Sequence, residues 1–280
     1  MTTTDDAVGI NRVFHDHECA YYDERFAIRH DQWSGRRARR EVEDCIGRRL
    51  RAGDVVVDVG CGTGWYAAGL RRGSADLPGL TVVGLDLSTG MLTTARHAGA
   101  GPLLQADASR LPFGDASVDL VVTRGVLHHL PSPPLALAEW RRVLRPDGAV
   151  VISSEPTTTV DAHGEVLVRA LLRLLRRPLS AEEDFWELAS MAANLHVFSA
   201  EDIADAARSA GFTDVAVGTA GFVATLLLTS SYVVHGRRPG LARLVPWRLS
   251  EELARLADGL VFDRLLPSRW RHTVVGVLRP

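Results

Sequence analysis

The segment Asp58-Val59-Gly60-Cys61-Gly62-Thr63-Gly64 places an acid and three glycines where an apolar run, Val55 to Val59, gives way to a helical pattern. Glycines there allow a tight turn and let a ligand approach the backbone, and a helix starting near Gly64 offers unpaired N–H groups. A dinucleotide would set its pyrophosphate against this loop, where Asp58 would repel it. The third glycine of the dinucleotide fingerprint is also absent, since Trp65 holds its place. An amino-acid moiety brings an ammonium group instead, which an acid welcomes. Asp86 ends the next apolar run, 22 residues after Gly64, an offset at which a carboxylate can accept both hydroxyls of a ribose. Asp107, in Gln105-Ala106-Asp107-Ala108, follows a third short run and can accept from an exocyclic amine on adenine. Either acid alone reads equally well as a helix cap; together, at these offsets, they read as a binding site.

The elements that must position these residues alternate. Val55 to Val59, Thr81 to Leu85, Leu120 to Thr123 and Ala149 to Ser153 are apolar runs typical of parallel strands buried on both faces. Between them, Ser88 opens a helix over Thr89 to His97, and Ser132 with Pro133 opens another over Leu135 to Leu144, which stops at the turn Arg145-Pro146-Asp147-Gly148. Repeated β-then-α units predict a doubly wound α/β sheet with its ligand at the carboxyl ends of the strands. Upstream, Gly35 to Arg51 reads as a helix. Downstream, Ser199 to Ala210 reads as a helix, Thr213 to Gly218 as a strand and His272 to Leu278 as a last strand. The division expected is one domain over 1–280, with an N-terminal helical cap (1–53), a cofactor-binding core (54–155) and helical lid insertions (156–198 and 221–268). The lids include a basic amphipathic helix from Val166 to Arg177, a helix with a capping box at Ser180 and Glu183, and a helix from Ser250 to about Leu266.

Composition removes several chemistries. All 32 basic residues are arginine, so no lysine can serve under a nucleotide phosphate, as a Schiff base or as a general base. A net charge of −2 gives no global basic field for nucleic acid. Cys19, Cys45 and Cys61 are odd in number without CxxC spacing, which argues against zinc and disulfides and for a reducing compartment. The N-terminus lacks a signal-peptide pattern and no apolar run reaches about 18 residues, so a cytoplasmic protein without stable membrane insertion is expected.

The segments VVVDVGCGTGWYAAGL, VVGLDLSTGML, LLQADASRLPFGDASVDLVVTRGVLHHL and WRRVLRPDGAVVISSEP, with AYYDERF and HVFSAEDIADAARSAGF more loosely, resemble the successive motifs of class I S-adenosylmethionine-dependent methyltransferases, in their quinone-biosynthesis and small-molecule branch. The resemblance implies a seven-stranded sheet with an antiparallel last strand and S-adenosylmethionine as cofactor. Carried over by position, Asp58, Gly60, Cys61, Gly62 and Gly64 would hold the methionine end, Asp86 the ribose, and Asp107 with Ala108 the adenine. Leu87 and Met91 would pack on the adenine, Thr123 and Arg124 would lie beside the methionine, and Tyr22 would close over the carboxylate.

Methyl transfer needs alignment in a dry pocket and, for a protonated acceptor, a side chain of pKa near 7. His128 and His129, after the fourth strand, are the catalytic candidates. Glu155, His196, Phe185, Trp186 and Phe222 are candidates for contact with substrate, Glu155 being equally readable as a cap. With Leu195, Phe198, Leu226, Leu227, Tyr232 and Trp247, the aromatic residues would form an apolar cover for an aromatic, polyketide or isoprenoid-like acceptor, or pack together or in a homodimer interface. Two other functions fit the same motifs: a methyltransferase-like enzyme of cyclisation, rearrangement or decarboxylation that retains the cofactor, and a cofactor-binding partner protein without turnover.

Overall fold

The computed structural model describes residues 4–26, 28–157, 196–224, 226–227, 247–265, 267, 271 and 273–280. The chain opens with α1 (Thr4–Glu18), a single turn α2 (Tyr22–Arg25) and α3 (Gln32–Ile46). A doubly wound unit follows: β1 (Val55–Val59), α4 (Trp65–Gly73), β2 (Thr81–Asp86), α5 (Thr89–His97), β3 (Leu103–Gln105), β4 (Val118–Arg124), α6 (Pro133–Val143) and β5 (Leu144–Pro156). Beyond it come α7 (Ala200–Ser209), β6 (Asp214–Ala220), α8 (Trp247–Ala257) and β7 (Thr273–Arg279). The seven strands form one sheet in the order β3-β2-β1-β4-β5-β7-β6. The pairs from β3 to β5 are parallel, and β7 runs antiparallel to both β5 and β6. This is the doubly wound, seven-stranded sheet the motifs imply.

Strand alternation explains why the runs are largely apolar, Asp58 in β1 being a buried exception. Val57, Val59, Val121, Val150 and Ile152 face one layer, built on α6 and α7 around the fully buried Trp140. Val56, Leu120, Val122 and Val151 face the other, built on α3, α4 and α5. Period two with both faces covered leaves no polar side. The α3–α4 contact is close because it is made by glycines: a Cβ on Gly73 would strike the Gly35 carbonyl, and one on Gly69 would crowd Ala38.

Several predicted boundaries move for local reasons. The upstream helix ends at Ile46 rather than Arg51, because Gly47 takes a left-handed φ of 70° and closes it. Ser132 makes no side-chain cap bond, whereas Ser88 accepts from Met91 N–H as expected. The stop at Arg145 to Gly148 lies within β5 as a bulge, pairing passing from Val118–Leu144 to Leu120–Ala149. A second bulge follows where β5 leaves β7: Ile152 pairs with Gly276 but Glu155 with Val274, and Ser154 adopts φ 59°. The C-terminal helix starts at Trp247 and becomes a π turn over Asp258–Phe262. There the buried Asp258 carboxylate accepts from the N–H groups of Val223 and Ala224. The expected helices at Val166 to Arg177 and at Ser180, with Phe185, Trp186, Leu195 and Tyr232, lie outside the described residues.

Candidate active site

The sheet order reverses between β1 and β4, and a cleft opens at their carboxyl ends, where α/β folds of this topology bind ligands. Its volume, open mouth included, is about 820 Å³, within the range of small-molecule sites. Gly60 and Gly62 form part of the floor. Both have positive φ, 65° and 52°, and a Cβ on Gly60 would collide with Val126, while the space before Gly62 is open. The loop is tied to the next strand, since Cys61 N–H donates to the Leu85 carbonyl at 2.7 Å.

The three acids take different positions. Asp86 lines the cleft, with Oδ2 accepting from Gly62 N–H at 2.8 Å and Oδ1 from Ser88 N–H at 2.9 Å. Burial raises its pKa, against the opposing pull of those N–H groups and of His15. Each oxygen keeps acceptor capacity beyond its one backbone donor, so vicinal hydroxyls remain acceptable partners. Asp107 also lines the cleft, with Ala108, but its Oδ1 is engaged by Ser109 N–H at 2.7 Å. Asp58 is not on the wall. It is 2 % exposed beneath the loop, Oδ2 accepting from Ala67 N–H at 2.8 Å, and burial pushes its pKa up to about 8. Its influence on a bound cation is therefore electrostatic, through the loop.

The other expected cofactor residues divide similarly. Leu87, Met91, Arg124 and Tyr22 line the cleft. Arg124 lies over the Trp65 ring at 4.5 Å and 3.9 Å from Glu41. Burial, with the nearby Glu18 carboxylate, raises the Tyr22 phenol's pKa. Cys61, Gly64 and Thr123 are behind the wall: a Cβ on Gly64 would meet Ala95 and Ala100 of and after α5, and Cys61 and Thr123 are buried.

Three substrate-contact expectations are corrected, at Glu155, His196 and Phe222. Glu155 is fully buried beneath the loop after β4, its Oε1 accepting from Val126 and Leu127 N–H and its Oε2 from His128 N–H, with His128 Nδ1 at 2.9 Å. The bulge at Ser154 breaks the alternation of β5 just before it. An acid covered this way anchors a loop and offers no face to a substrate. His196 props the same loop, donating its N–H to the His128 carbonyl and placing Nε2 3.0 Å from the Leu130 carbonyl. Phe198 belongs to the core beneath α6. Phe222, Leu226 and Leu227 are half-buried away from the cleft wall. Of the catalytic pair, His129 lines the cleft and His128 lies behind it, ring centroids 3.8 Å apart.

Helix α1 supplies residues that the sequence reading missed: Val8, Asn11 and His15 roof the cleft. The signal was present, because Val8, Asn11, His15 and Glu18 recur at helical spacing on one face. Asn11 Nδ2 donates to the His129 carbonyl at 3.3 Å, and Asp16 fixes the helix to the start of α5 through Ser88 Oγ and Gly90 N–H.

A cleft at the switch point of a doubly wound sheet, with glycine backbone at its floor, Asp86 and Asp107 in its wall and no phosphate-binding lysine in the chain, suits a cationic adenosine derivative better than a nucleotide phosphate. Comparison gives the family. Residues 57–152 match the family model described as a methyltransferase domain. Over 182 residues the chain is 32% identical to a demethylmenaquinone methyltransferase of Clavibacter sepedonicus, covering 62% of this chain and 72% of that enzyme. A malonyl-[acyl-carrier protein] O-methyltransferase of Erwinia pyrifoliae is 40% identical over 121 residues, 41% of this chain and 44% of that enzyme; there the chain matches less than half of its relative's length. Haemonchus contortus phosphoethanolamine N-methyltransferase 2, solved with phosphomonomethylethanolamine and S-adenosylhomocysteine, shares the fold at a TM-score of 0.59 and 20% identity, covering 96% of this chain and 60% of that one. The chain belongs to the class I S-adenosylmethionine-dependent methyltransferases. The residues present fit that cofactor: acceptors at Asp86 and Asp107, an apolar wall at Leu87 and Met91, and open space before Gly62.

Proposed function

We propose that the protein transfers a methyl group from S-adenosylmethionine to oxygen, nitrogen or carbon of a hydrophobic small molecule. The observation that carries this is the cleft itself: an ionisable Asp86 held open by two backbone N–H groups, beside the glycine floor at Gly60 and Gly62 and opposite the histidine at 129. When bound, the cofactor supplies a methyl carbon on a positively charged sulfur, which leaves as a neutral thioether. The chain's part is to hold and to align. Asp86 would accept the ribose hydroxyls, Asp107 and Ala108 would meet the adenine, Leu87 and Met91 would pack against it, and Arg124 and Tyr22 would border the amino-acid end. Helix α1 excludes water from above through Val8 and His15. Alignment in a dry pocket is where most of the rate arises in such displacements.

The apolar character of Val8, Val59, Leu130 and Pro131 in the wall supports a hydrophobic acceptor, as does the name of the Clavibacter relative, whose acceptor is demethylmenaquinone. In this reading 1–53 caps the site through Val8, Asn11, His15 and Tyr22. No helix among the described residues is long and apolar enough to cross a membrane. The test is incubation with labelled S-adenosylmethionine and a panel of lipophilic acceptors. A product heavier by one CH2 with stoichiometric S-adenosylhomocysteine supports transfer; an isomeric product, or tight binding without conversion, refutes it.

A further inference from the structure

Three imidazoles lie in a row, two lining the cleft and the third behind its wall, and a buried carboxylate stands at each end. His15 and His129 meet edge to face with ring centroids 4.9 Å apart, and His129 lies 3.8 Å from His128. At one end His15 Nδ1 is 3.6 Å from Glu18 Oε2; at the other His128 Nδ1 is 2.9 Å from Glu155 Oε2. Glu18 and Glu155 are 3 % and 0 % exposed. The middle ring is held from outside as well, since Asn11 grips its own carbonyl and His196 the carbonyls on either side, His128 and Leu130. Elements far apart in sequence converge on this one short loop: α1, the turn after β4, the bulged end of β5 and the segment before α7.

We propose that His129 is the proton acceptor of the cleft, and that His128 with Glu155 and His15 with Glu18 position it and stabilise its charged form. The assignment rests on the methyl-transfer reading. As the acceptor's heteroatom or activated carbon bonds to the methyl carbon, the carbon–sulfur bond breaks with its electron pair remaining on sulfur, and the acceptor's proton passes to a ring nitrogen of His129. The products are a neutral methylated acceptor, a neutral thioether and an imidazolium. That imidazolium forms against the His128 ring, whose far edge is tied to Glu155, so the positive charge arises between two buried negative ones. His129 is chosen over its neighbours by placement. His128 is behind the wall, and His15 stands between two carboxylates, since it also acts on Asp86. His128 and Glu155 do not touch the cleft and are positioning residues.

The test uses the full chain with S-adenosylhomocysteine bound. Carbethoxylation by diethyl pyrocarbonate, mapped by mass spectrometry, is expected to mark His129 faster than His128, because only the former faces the cleft. Side-chain 15N spectra are expected to show His128 protonated on Nδ1, and Glu155→Gln to lose that signature while circular dichroism shows the fold retained. Three probe acceptors then read the chemistry with labelled S-adenosylmethionine: a lipophilic phenol, an aromatic amine and a 1,3-diketone. His129→Gln should lower kcat on a methylated probe by roughly 10² to 10⁴, the ordinary worth of a general base, with S-adenosylhomocysteine affinity kept. Glu155→Gln should lower kcat by less than His129→Gln does, with KM unchanged. Methylation that survives His129→Gln at the wild-type rate, or a His129 inert to the reagent, overturns the assignment alone. A wild-type chain that methylates none of the probes overturns the methyl-transfer reading, and this assignment with it.

Discussion

Asp58 gives a prediction whose size can be worked out. Its carboxyl, 2 % exposed, has a pKa pushed up to about 8 by burial, so in the free protein at pH 7 about 90% of it is protonated. An ammonium bound on the other side of the loop, at a separation on the order of 6 Å and an effective dielectric of about 20, favours the ionised form by about 2.8 kcal/mol, roughly two pK units. The pKa then falls to about 6, and binding at pH 7 releases about 0.8 proton. The same coupling makes affinity rise about eightfold from pH 5.5 to 7. The window stops there because an α-amino group begins to lose its own proton near pH 7.7. Calorimetric titration with S-adenosylhomocysteine in buffers of different ionisation enthalpy reads the released protons directly. Asp58→Asn keeps an oxygen for Ala67 N–H but removes the titration, so about 0.8 proton should disappear from the total. Equal proton release in both proteins would refute the reasoning. For the unliganded protein the sign is fixed by a folded pKa above the unfolded one. Asp58 contributes stability that is complete below about pH 4 and is lost as pH rises through 8.

Other expectations follow from the same geometry. Gly73→Ala places a Cβ onto the Gly35 carbonyl and should cost about 2–3 kcal/mol in urea unfolding, and a change under about 0.5 kcal/mol would mean that α3 and α4 can separate freely. Asp86→Ala removes a charged acceptor and both backbone anchors, and should weaken S-adenosylhomocysteine binding roughly 10- to 100-fold by calorimetry; unchanged affinity would end its assignment to the ribose. Trp140→Phe leaves the Ala108 carbonyl without the indole N–H it now accepts at 2.8 Å, with an expected loss of about 1–3 kcal/mol in thermal or urea denaturation. Arg39 and Arg49 hold the Glu43 carboxyl below the usual carboxylate range against the opposing effect of burial. Its stabilisation is thus present above about pH 4.5 and lost as pH falls through the lowered value, and Glu43→Gln should flatten that acid limb in pH-dependent melting.

The sequence disclosed the sheet because its strands are buried on both faces: Val55 to Val59, ending in a glycine cluster, reads as a central strand, and Ser88 announced its helix with a cap that forms. Boundaries failed where one residue's conformation decides them, as at Gly47 and at the bulge following Leu144, because backbone φ is not written in hydrophobic period. In the site, Asp86, Asp107 and the glycine loop were legible from spacing along consecutive β–α units, which topology turns into proximity. Glu155 follows the fifth strand and His196 precedes the helix at Ser199, and neither position fixes a side chain's direction: Glu155 depends on the Ser154 bulge and on a loop 27 residues away, His196 on the carbonyls of His128 and Leu130. Helix α1 was overlooked because its apolar positions are few and its face is defined by Asn11, His15 and Glu18, polar residues whose purpose appears only once His129 is beside them.

The absence of lysine acquires a physical meaning in this setting. A cleft that holds a sulfonium and an ammonium needs negative charge, and every additional cation in its wall opposes binding. Arg124 lines the cleft, and its guanidinium lies on the Trp65 face and 3.9 Å from Glu41, which in turn accepts from the Tyr66 hydroxyl at 2.6 Å. A lysine ammonium at 124, compact and strongly hydrated, could not spread itself over the indole in that way. Held there, the arginine keeps a cation within reach of a carboxylate, on the cofactor or on an acceptor, and its charge also favours the ionised form of Asp58.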